Sequence, residues 1–310
     1  MHIYHNLEEF RAKKPILTIG TFDGVHRGHH RVISQLKEIA RREHGETVIF
    51  TFDPHPRLVI APDKENLRLL TTLDEKTELF ASMGIDHLIV FPFTKEFSRL
   101  TYTEFIKDIL VKKIGIHRLV VGYDHRFGKN REGTFEILES LSHKFNFGID
   151  QLDVLSIDST NISSTQIRNA LQTGNIESAN RFLGYSFQLH GQVVKGNQIG
   201  RKLTFPTANI EASDHYKIIP AEGVYAVRAD VEGQLYDGML NIGTRPTVDI
   251  NADHRSIEVH LFDFDRDIYG KYLTLFFEQR IREEKKFNGL EELQKQLEKD
   301  KQTALDFLKR

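Results

Sequence analysis

The sequence predicts an α/β domain with a parallel, Rossmann-like sheet, followed by an antiparallel β-barrel domain with a terminal helix. Three observations predict it. In the first half, short apolar runs take turns with segments of helical spacing, the pattern of a parallel sheet with helices on both faces. After about Leu183 the runs become β-branched and alternating, parted by glycine-bearing turns such as Glu232-Gly233, which suits an antiparallel barrel. The length of 310 residues fits two domains at about 100–200 residues each. A boundary is expected near residue 184, giving domains 1–183 and 184–310.

The elements follow in order. Ile16–Gly20 is an apolar run ending in glycine, and Arg31–Arg42 has helical spacing at Val32, Ile33, Leu36, Ile39 and Ala40. Thr47–Phe52 is β-branched and aromatic and stops at Asp53-Pro54. Leu73–Met83 reads as a helix, and His87–Phe91 as a strand ended by Pro92. Thr101 and Glu104 form a capping box for a helix over Tyr102–Ile114. His117–Gly122 is a strand, Thr134–His143 a helix and Asp150–Leu155 a strand. In the second half Phe187–Val194, Val224–Val231, Gln234–Ile242, Ile257–Phe262 and Tyr272–Ile281 read as strands, and Leu290–Leu308 as the closing helix.

Composition narrows the function. Lys plus Arg is 42 and Asp plus Glu is 44, a net charge of −2, so nothing global favours nucleic acid or anionic membrane. The absence of cysteine excludes disulfides, thiolate metal sites and cysteine nucleophiles, and suits a reducing compartment. The N-terminus, MHIYHNLEEFRAKK, lacks the apolar core of a signal peptide. No apolar run approaches the roughly 20 residues of a membrane span. The expectation is a soluble cytoplasmic protein, a monomer or weak homo-oligomer, with small-molecule partners.

Ligands of open parallel sheets sit beyond the carboxyl ends of the strands, and the unusual polar clusters of the first half all follow a strand. Gly20-Thr21-Phe22-Asp23-Gly24-Val25-His26-Arg27-Gly28-His29 follows the first, and Phe52-Asp53-Pro54-His55-Pro56 the second. Gly122-Tyr123-Asp124-His125-Arg126-Phe127-Gly128 follows the fourth, and Ile162-Ser163-Ser164-Thr165-Gln166-Ile167-Arg168 comes after the last. In the first cluster Gly20 and Gly24 allow tight bending, and Gly28 allows close approach to a ligand. His29 lies where a helix begins, so its imidazole and the free backbone N–H groups can meet a phosphate together, with His26 facing the same anion. A lone H-x-x-H is more often a chance match, but the strand-turn-helix setting reverses that preference. Zinc is a weaker reading, for want of a third protein ligand.

Ser163, Ser164 and Thr165 can cap a helix starting near Gln166. Capping does not account for Arg168, because a cation near a helix N-terminus is opposed by the dipole unless an anion is present. Hydroxyls, N–H groups and a guanidinium together read as a polyphosphate clamp. The prolines of Phe52–Pro56 fix a rigid turn. Asp124 and Phe127 offer a polar contact and an aromatic wall to a flat ring.

The second half carries the run from Gly196 to Asn209, including Gly200-Arg201-Lys202-Leu203-Thr204-Phe205-Pro206-Thr207. It is neither a Walker loop nor a kinase glycine loop. Thr207 and Asn209 alternate on an extended stretch and offer oxygen ligands to Mg²⁺. Glu258, in a β-branched stretch, is either a surface-facing strand residue, the commoner case, or a general base.

At these residues the sequence resembles the bacterial bifunctional riboflavin kinase/FAD synthetase family. GTFDGVHRGHH, FDPHP, GYDHRFG and ISSTQIR resemble the FAD synthetase module, and GRKLTFPTAN, GVYAV, NIGTRPT and IEVHLFDFDRDIYG the flavokinase module. The resemblance implies phosphorylation of riboflavin to FMN and adenylylation of FMN to FAD, with ATP as co-substrate and Mg²⁺ as metal. It implies ATP at Gly20, Phe22, Asp23, Gly28, His29, Ser163, Thr165 and Arg168, with His26 and His29 catalytic. His55, Pro56, Asp124 and Phe127 would meet FMN. In the kinase module Gly200, Lys202, Thr207 and Asn209 would hold ATP, with Thr207 and Asn209 on the metal, Glu258 as base and Arg282 at the flavin. The family usually has glycine where Thr204 stands, which opens an alternative: a monofunctional FAD synthetase with an impaired kinase domain. A non-catalytic flavin- or nucleotide-binding regulator is the alternative from another class.

Overall fold

The computed structural model describes residues 1–60, 67–122, 134–152, 156–157, 160–196, 205–244 and 255–309. A six-stranded sheet is built from β1 (His2–Tyr4), β2 (Pro15–Ile19), β3 (Glu46–Asp53), β4 (His87–Pro92), β5 (Arg118–Gly122) and β6 (Gly148–Leu152), in the order β1-β4-β3-β2-β5-β6. Every pair in it is parallel. From β2 the chain winds one way through β3 to β4, then starts again on the other side at β5. The β2/β5 position is therefore the switch point, where a crevice opens beyond the strand ends. β2 is buried throughout, as a central parallel strand covered on both faces must be.

Helices cover the faces: α1 (Arg27–Glu43), α2 (Pro56–Ile60), α3 (Leu73–Ser82), α4 (Tyr102–Glu104) and α5 (Phe135–Phe145). α1 turns Ile33, Leu36, Ile39 and Ala40 to the core, matching the spacing read from the sequence. It begins four residues earlier than the apolar pattern does, because His26, in extended conformation, takes the N-cap position. The Thr101–Glu104 capping box forms as expected. The segment after it differs from the expected regular helix, since Phe105–Ile114 is π-helical. Its buried residues, Phe105, Ile106, Ile109, Leu110 and Ile114, recur at intervals that an i→i+5 winding keeps on one face.

The second half forms a closed barrel from β9 (Phe187–Val194), β10 (Ala208–Ala212), β11 (Gly223–Val231), β12 (Gln234–Thr244), β13 (Arg255–Leu261) and β14 (Tyr272–Arg282), in the order β10-β13-β12-β11-β14-β9. Two short strands, β7 (Ser156–Ile157) and β8 (Thr160–Asn161), pair before it. The terminal helix α8 (Leu290–Leu308) lays Ala304 and Leu308 against Phe205, Ala226, Met239 and Phe262.

Contacts divide the chain into two units, Met1–Ser164 and Thr165–Arg310. The second unit therefore includes most of α6 (Ser164–Gln172) and all of α7 (Ile176–Leu183), which precede the change of sequence texture near 184. They are tied to the barrel by hydrogen bonds. Asn180 Nδ2 donates to the Phe277 carbonyl at 2.8 Å, Asn180 Oδ1 accepts from the Phe187 N–H at 2.8 Å, and the Ala221 N–H donates to Leu171 at 2.9 Å. Among the described residues no helix is long and apolar enough to cross a membrane.

Candidate active sites

In the first unit the candidate site lies where β2 ends. The Gly20 N–H still pairs with the Phe50 carbonyl at 3.1 Å, and the chain then leaves the sheet through a turn with positive φ at Phe22 (48°) and Val25 (33°). A β-branched residue in that region is strained by about 1–3 kcal/mol, so the turn must be held from outside. Asp23 does this. Its buried carboxylate accepts the Leu70 and Thr71 N–H groups at 2.8 and 3.2 Å, and Thr71 Oγ1 accepts the Gly24 N–H at 2.9 Å. Asp23, expected at ATP, thus braces the turn. The Ser164 hydroxyl, at the start of α6, donates to the Asp23 carbonyl at 2.9 Å.

The turn delivers two imidazoles to the start of α1. The His26 and His29 rings stack at 3.7 Å with planes 16° apart, and His29 Nδ1 accepts the His26 backbone N–H at 3.2 Å. Phe22 meets His29 edge-on at 5.1 Å. Gly28 makes room for this pair, since a Cβ there would lie 3.1 Å from the His26 ring. Its smallness serves the imidazole, in addition to any approach of backbone to ligand. His29 is held well below its ordinary pKa near 6.5, first by burial and then by His26, His30 and Lys76. Two imidazoles at a helix N-terminus are a donor array for an anion.

His55 and Pro56 stand at the end of β3, beside β2 in the sheet. His55 is buried and its Nδ1 accepts the Arg57 N–H at 3.2 Å. α6 begins at Ser164, two residues before the expected start, and carries Thr165 exposed and Arg168 half-buried. Asp124 and Phe127 lie outside the described residues, as do Gly200, Lys202 and Thr204.

In the barrel unit the expected residues come together. β10, which the sequence reading treated only as an extended stretch, pairs with β13 so that Asn209 stands opposite Glu258. On the other side Glu258 stands opposite Asn241 of β12. The Thr207 hydroxyl donates to Glu258 Oε2 at 3.2 Å. Glu258 is half-buried, between the buried Ile257 and Val259 of its strand. Gly196 closes the other flank: a Cβ there would fall 2.0 Å from Asn209 Nδ2. Thr207 also borders a pocket of about 480 Å³ lined by Val193, Ala208, Val259, Phe264 and Asp267.

Three contributors escaped the sequence reading. His260 Nδ1 donates to the Pro206 carbonyl at 2.8 Å, which fixes the residue before Thr207. Asp300 of α8, 1% exposed, receives Arg282 through Nε at 3.1 and 3.0 Å and through Nη2 at 2.8 Å. Arg282 was expected at the flavin; its guanidinium is committed to this forked pair, a contact 18 residues away in sequence and invisible to local pattern. Lys76 is buried with its Nζ on the Thr21 carbonyl at 3.3 Å. Its place four residues before the fully buried Phe80 was the one available signal.

Comparison with known proteins accounts for both halves. The family model for FAD synthetase matches residues 9–166, and that for riboflavin kinase residues 183–308. A bifunctional riboflavin kinase/FMN adenylyltransferase of Bacillus subtilis (strain 168) is 39% identical over 308 residues, 99% of this chain and 96% of its own. The Escherichia coli (strain K12) protein of the same name is 38% identical over 304 residues, covering 98% and 96%. A crystal structure from Streptococcus pneumoniae, titled a macrolide-efflux protein, superposes with TM-score 0.88 at 29% identity over 97% of each chain.

Proposed function

The chain belongs to the bifunctional riboflavin kinase/FMN adenylyltransferase family, and from that premise we propose that it converts riboflavin to FMN in the barrel unit and FMN to FAD in the α/β unit, each with ATP. The observation that carries this reading is the hydrogen bond from Thr207 to Glu258, with Asn209 opposite Glu258 across β10 and β13, a hydroxyl, an amide and a carboxylate drawn from two motifs.

In the kinase step Glu258 takes the proton of the ribityl hydroxyl as its oxygen attacks the γ-phosphorus of ATP, and ADP leaves. Thr207 and Asn209, with Gly200 and Lys202, hold the nucleotide. The oxygen donors of Thr207 and Asn209 fit a hard cation such as Mg²⁺, which when bound would neutralise phosphate charge. We assign Arg282 to holding α8 on the barrel through Asp300.

In the adenylyl step an FMN phosphate oxygen attacks the α-phosphorus of ATP and pyrophosphate leaves. No protein nucleophile is needed, and catalysis is positioning and charge stabilisation. His26 and His29, with the free N–H groups of α1, contact the phosphates of ATP. Gly20, Phe22, Asp23 and Gly28 shape the turn that presents them. Ser163 receives pyrophosphate, and His55, Pro56, Asp124 and Phe127 receive FMN.

Incubation with Mg²⁺, ATP and riboflavin, then separately with FMN, followed by chromatography of the flavins, tests both halves. FMN and then FAD should appear. Failure to phosphorylate riboflavin would overturn the kinase assignment, and failure to convert FMN the adenylyltransferase assignment.

A further inference from the structure

Lysine is almost never buried unless paired, yet Lys76 is 6% exposed. It sits in the first half of α3, on the face that carries Phe80 into the core. Its Nζ donates to the Thr21 carbonyl at 3.3 Å, and the Thr51 hydroxyl donates to the same carbonyl at 3.5 Å. Thr21 is the residue at which the chain enters the strained Phe22–Val25 turn. In a planar trans peptide the C=O and the following N–H point opposite ways. A carbonyl turned onto Lys76 therefore turns the Phe22 N–H away from it.

We propose that Lys76 is a positioning residue of the adenylyl-transfer site, holding the Thr21 carbonyl so that the phosphate-binding turn keeps its shape and placing its ammonium near His29; this rests on the adenylyltransferase reading of that site. The groups facing Lys76 are Asp23 of the turn, Asp53 at the end of β3 and His29 of α1. Burial lowers the Lys76 pKa, and the two carboxylates oppose that shift. Those facing His29 are His26 and His30 on its own helix, Lys76 from α3, and the Phe22 ring. A positive charge at position 76 adds to burial, His26 and His30 in disfavouring one on His29. The imidazole then stays neutral, able to donate from one nitrogen while Nδ1 accepts the His26 N–H.

Three variants separate charge, hydrogen bond and packing. Lys76→Gln retains an N–H donor and loses the charge, Lys76→Met loses both, and Lys76→Arg retains the charge. FAD formation from FMN is measured against pH and ATP concentration, with FMN formation from riboflavin and thermal melting as controls on the same preparations. In Gln and Met the acid limb of kcat/KM should move to higher pH, by about half a unit or more, because removing a cation raises the pKa of its neighbour. KM for ATP should rise about tenfold, while Arg keeps the limb in place and riboflavin phosphorylation is unchanged. An acid limb that stays put in both Gln and Met overturns the proposal. So does loss of both activities together with a lowered melting temperature in all three variants, which would mean packing alone. If Met fails to fold, the Gln variant decides. A wild-type protein that makes no FAD at all overturns the reading of the site itself, and the proposal with it.

Discussion

The Thr207 hydroxyl donates to the Glu258 carboxylate at 3.2 Å, although the two residues lie 51 positions apart. Thr207 immediately precedes β10, whose Asn209 pairs with Glu258 of β13, and His260 holds the adjoining Pro206 carbonyl. A carboxylate held by a neighbouring hydroxyl keeps one oxygen oriented and leaves the other to take a proton.

Glu258→Gln should therefore reduce FMN formation from riboflavin by about 10²–10⁴-fold, because the amide keeps the size and can still meet Thr207 but cannot accept the proton. FAD formation from FMN should be unchanged. Steady-state rates for the two reactions on one preparation check this, and a kinase rate equal to wild type would return Glu258 to an ordinary strand residue.

His29→Ala should lower FAD formation at least about 10²-fold, the scale of losing one positioned donor, and leave riboflavin phosphorylation intact. The stacked His26 ring loses its partner at 3.7 Å, so the effect includes disorder of the pair. Equal loss of both activities in a folded protein would contradict a two-site chain.

The histidines also set a pH dependence of stability. His29, His30 and His260 all have pKa values lowered from 6.5, burial being the largest cause in each. The folded state thus binds fewer protons than the unfolded one. Its stability is fully present above the unfolded value near 6.5 and falls as pH drops toward the folded values. Melting temperature should decline between about pH 7 and about pH 5, and the decline should be shallower in His29→Gln. A variant with the wild-type slope would show that His29 does not contribute.

The parallel strands were legible because β2 to β5 are near-continuous apolar runs, the mark of strands buried on both faces. β10 was not, because ANIEA has only five residues and one strong β-former between polar neighbours; it is a strand because β9 and β13 supply hydrogen bonds on both sides. At the sites, His26, His29, Thr207 and Asn209 could be found in local motifs. Lys76, His260 and Asp300 could not, since each acts on a loop or strand distant in sequence. The π-helical Phe105–Ile114 escaped for a related reason: its apolar spacing fits a helix, but the winding is fixed by packing.

Asp300→Ala should destabilise the barrel unit by about 3 kcal/mol, toward the lower end for breaking a buried pair. The Asp300 side chain is 2% exposed but that of Arg282 is 20% exposed, so the stranded guanidinium can reach water. Urea unfolding measures it, and a change within about 0.5 kcal/mol, the range of surface substitutions, would mean that α8 is held by its apolar face alone.

The last prediction concerns where the barrel unit begins. The texture of the sequence changes near 184, but Asn180 lends its amide to both Phe277 and Phe187, and Arg280 reaches back to the Thr173 carbonyl at 3.4 Å. α7 also buries Ile176, Ala179, Phe182 and Leu183. A fragment starting at Tyr185 would expose the surface those residues cover and leave the Phe277 carbonyl and the Phe187 N–H without Asn180. Removing even one large buried side chain typically costs about 3–5 kcal/mol. A fragment of residues 165–310 should therefore unfold cooperatively and phosphorylate riboflavin, while one of residues 185–310 melts at least about 10 °C lower, at about 2–8 °C per kcal/mol for domains of this general size. Equal melting temperatures for the two fragments would show that α6 and α7 are appended to the barrel without supporting it.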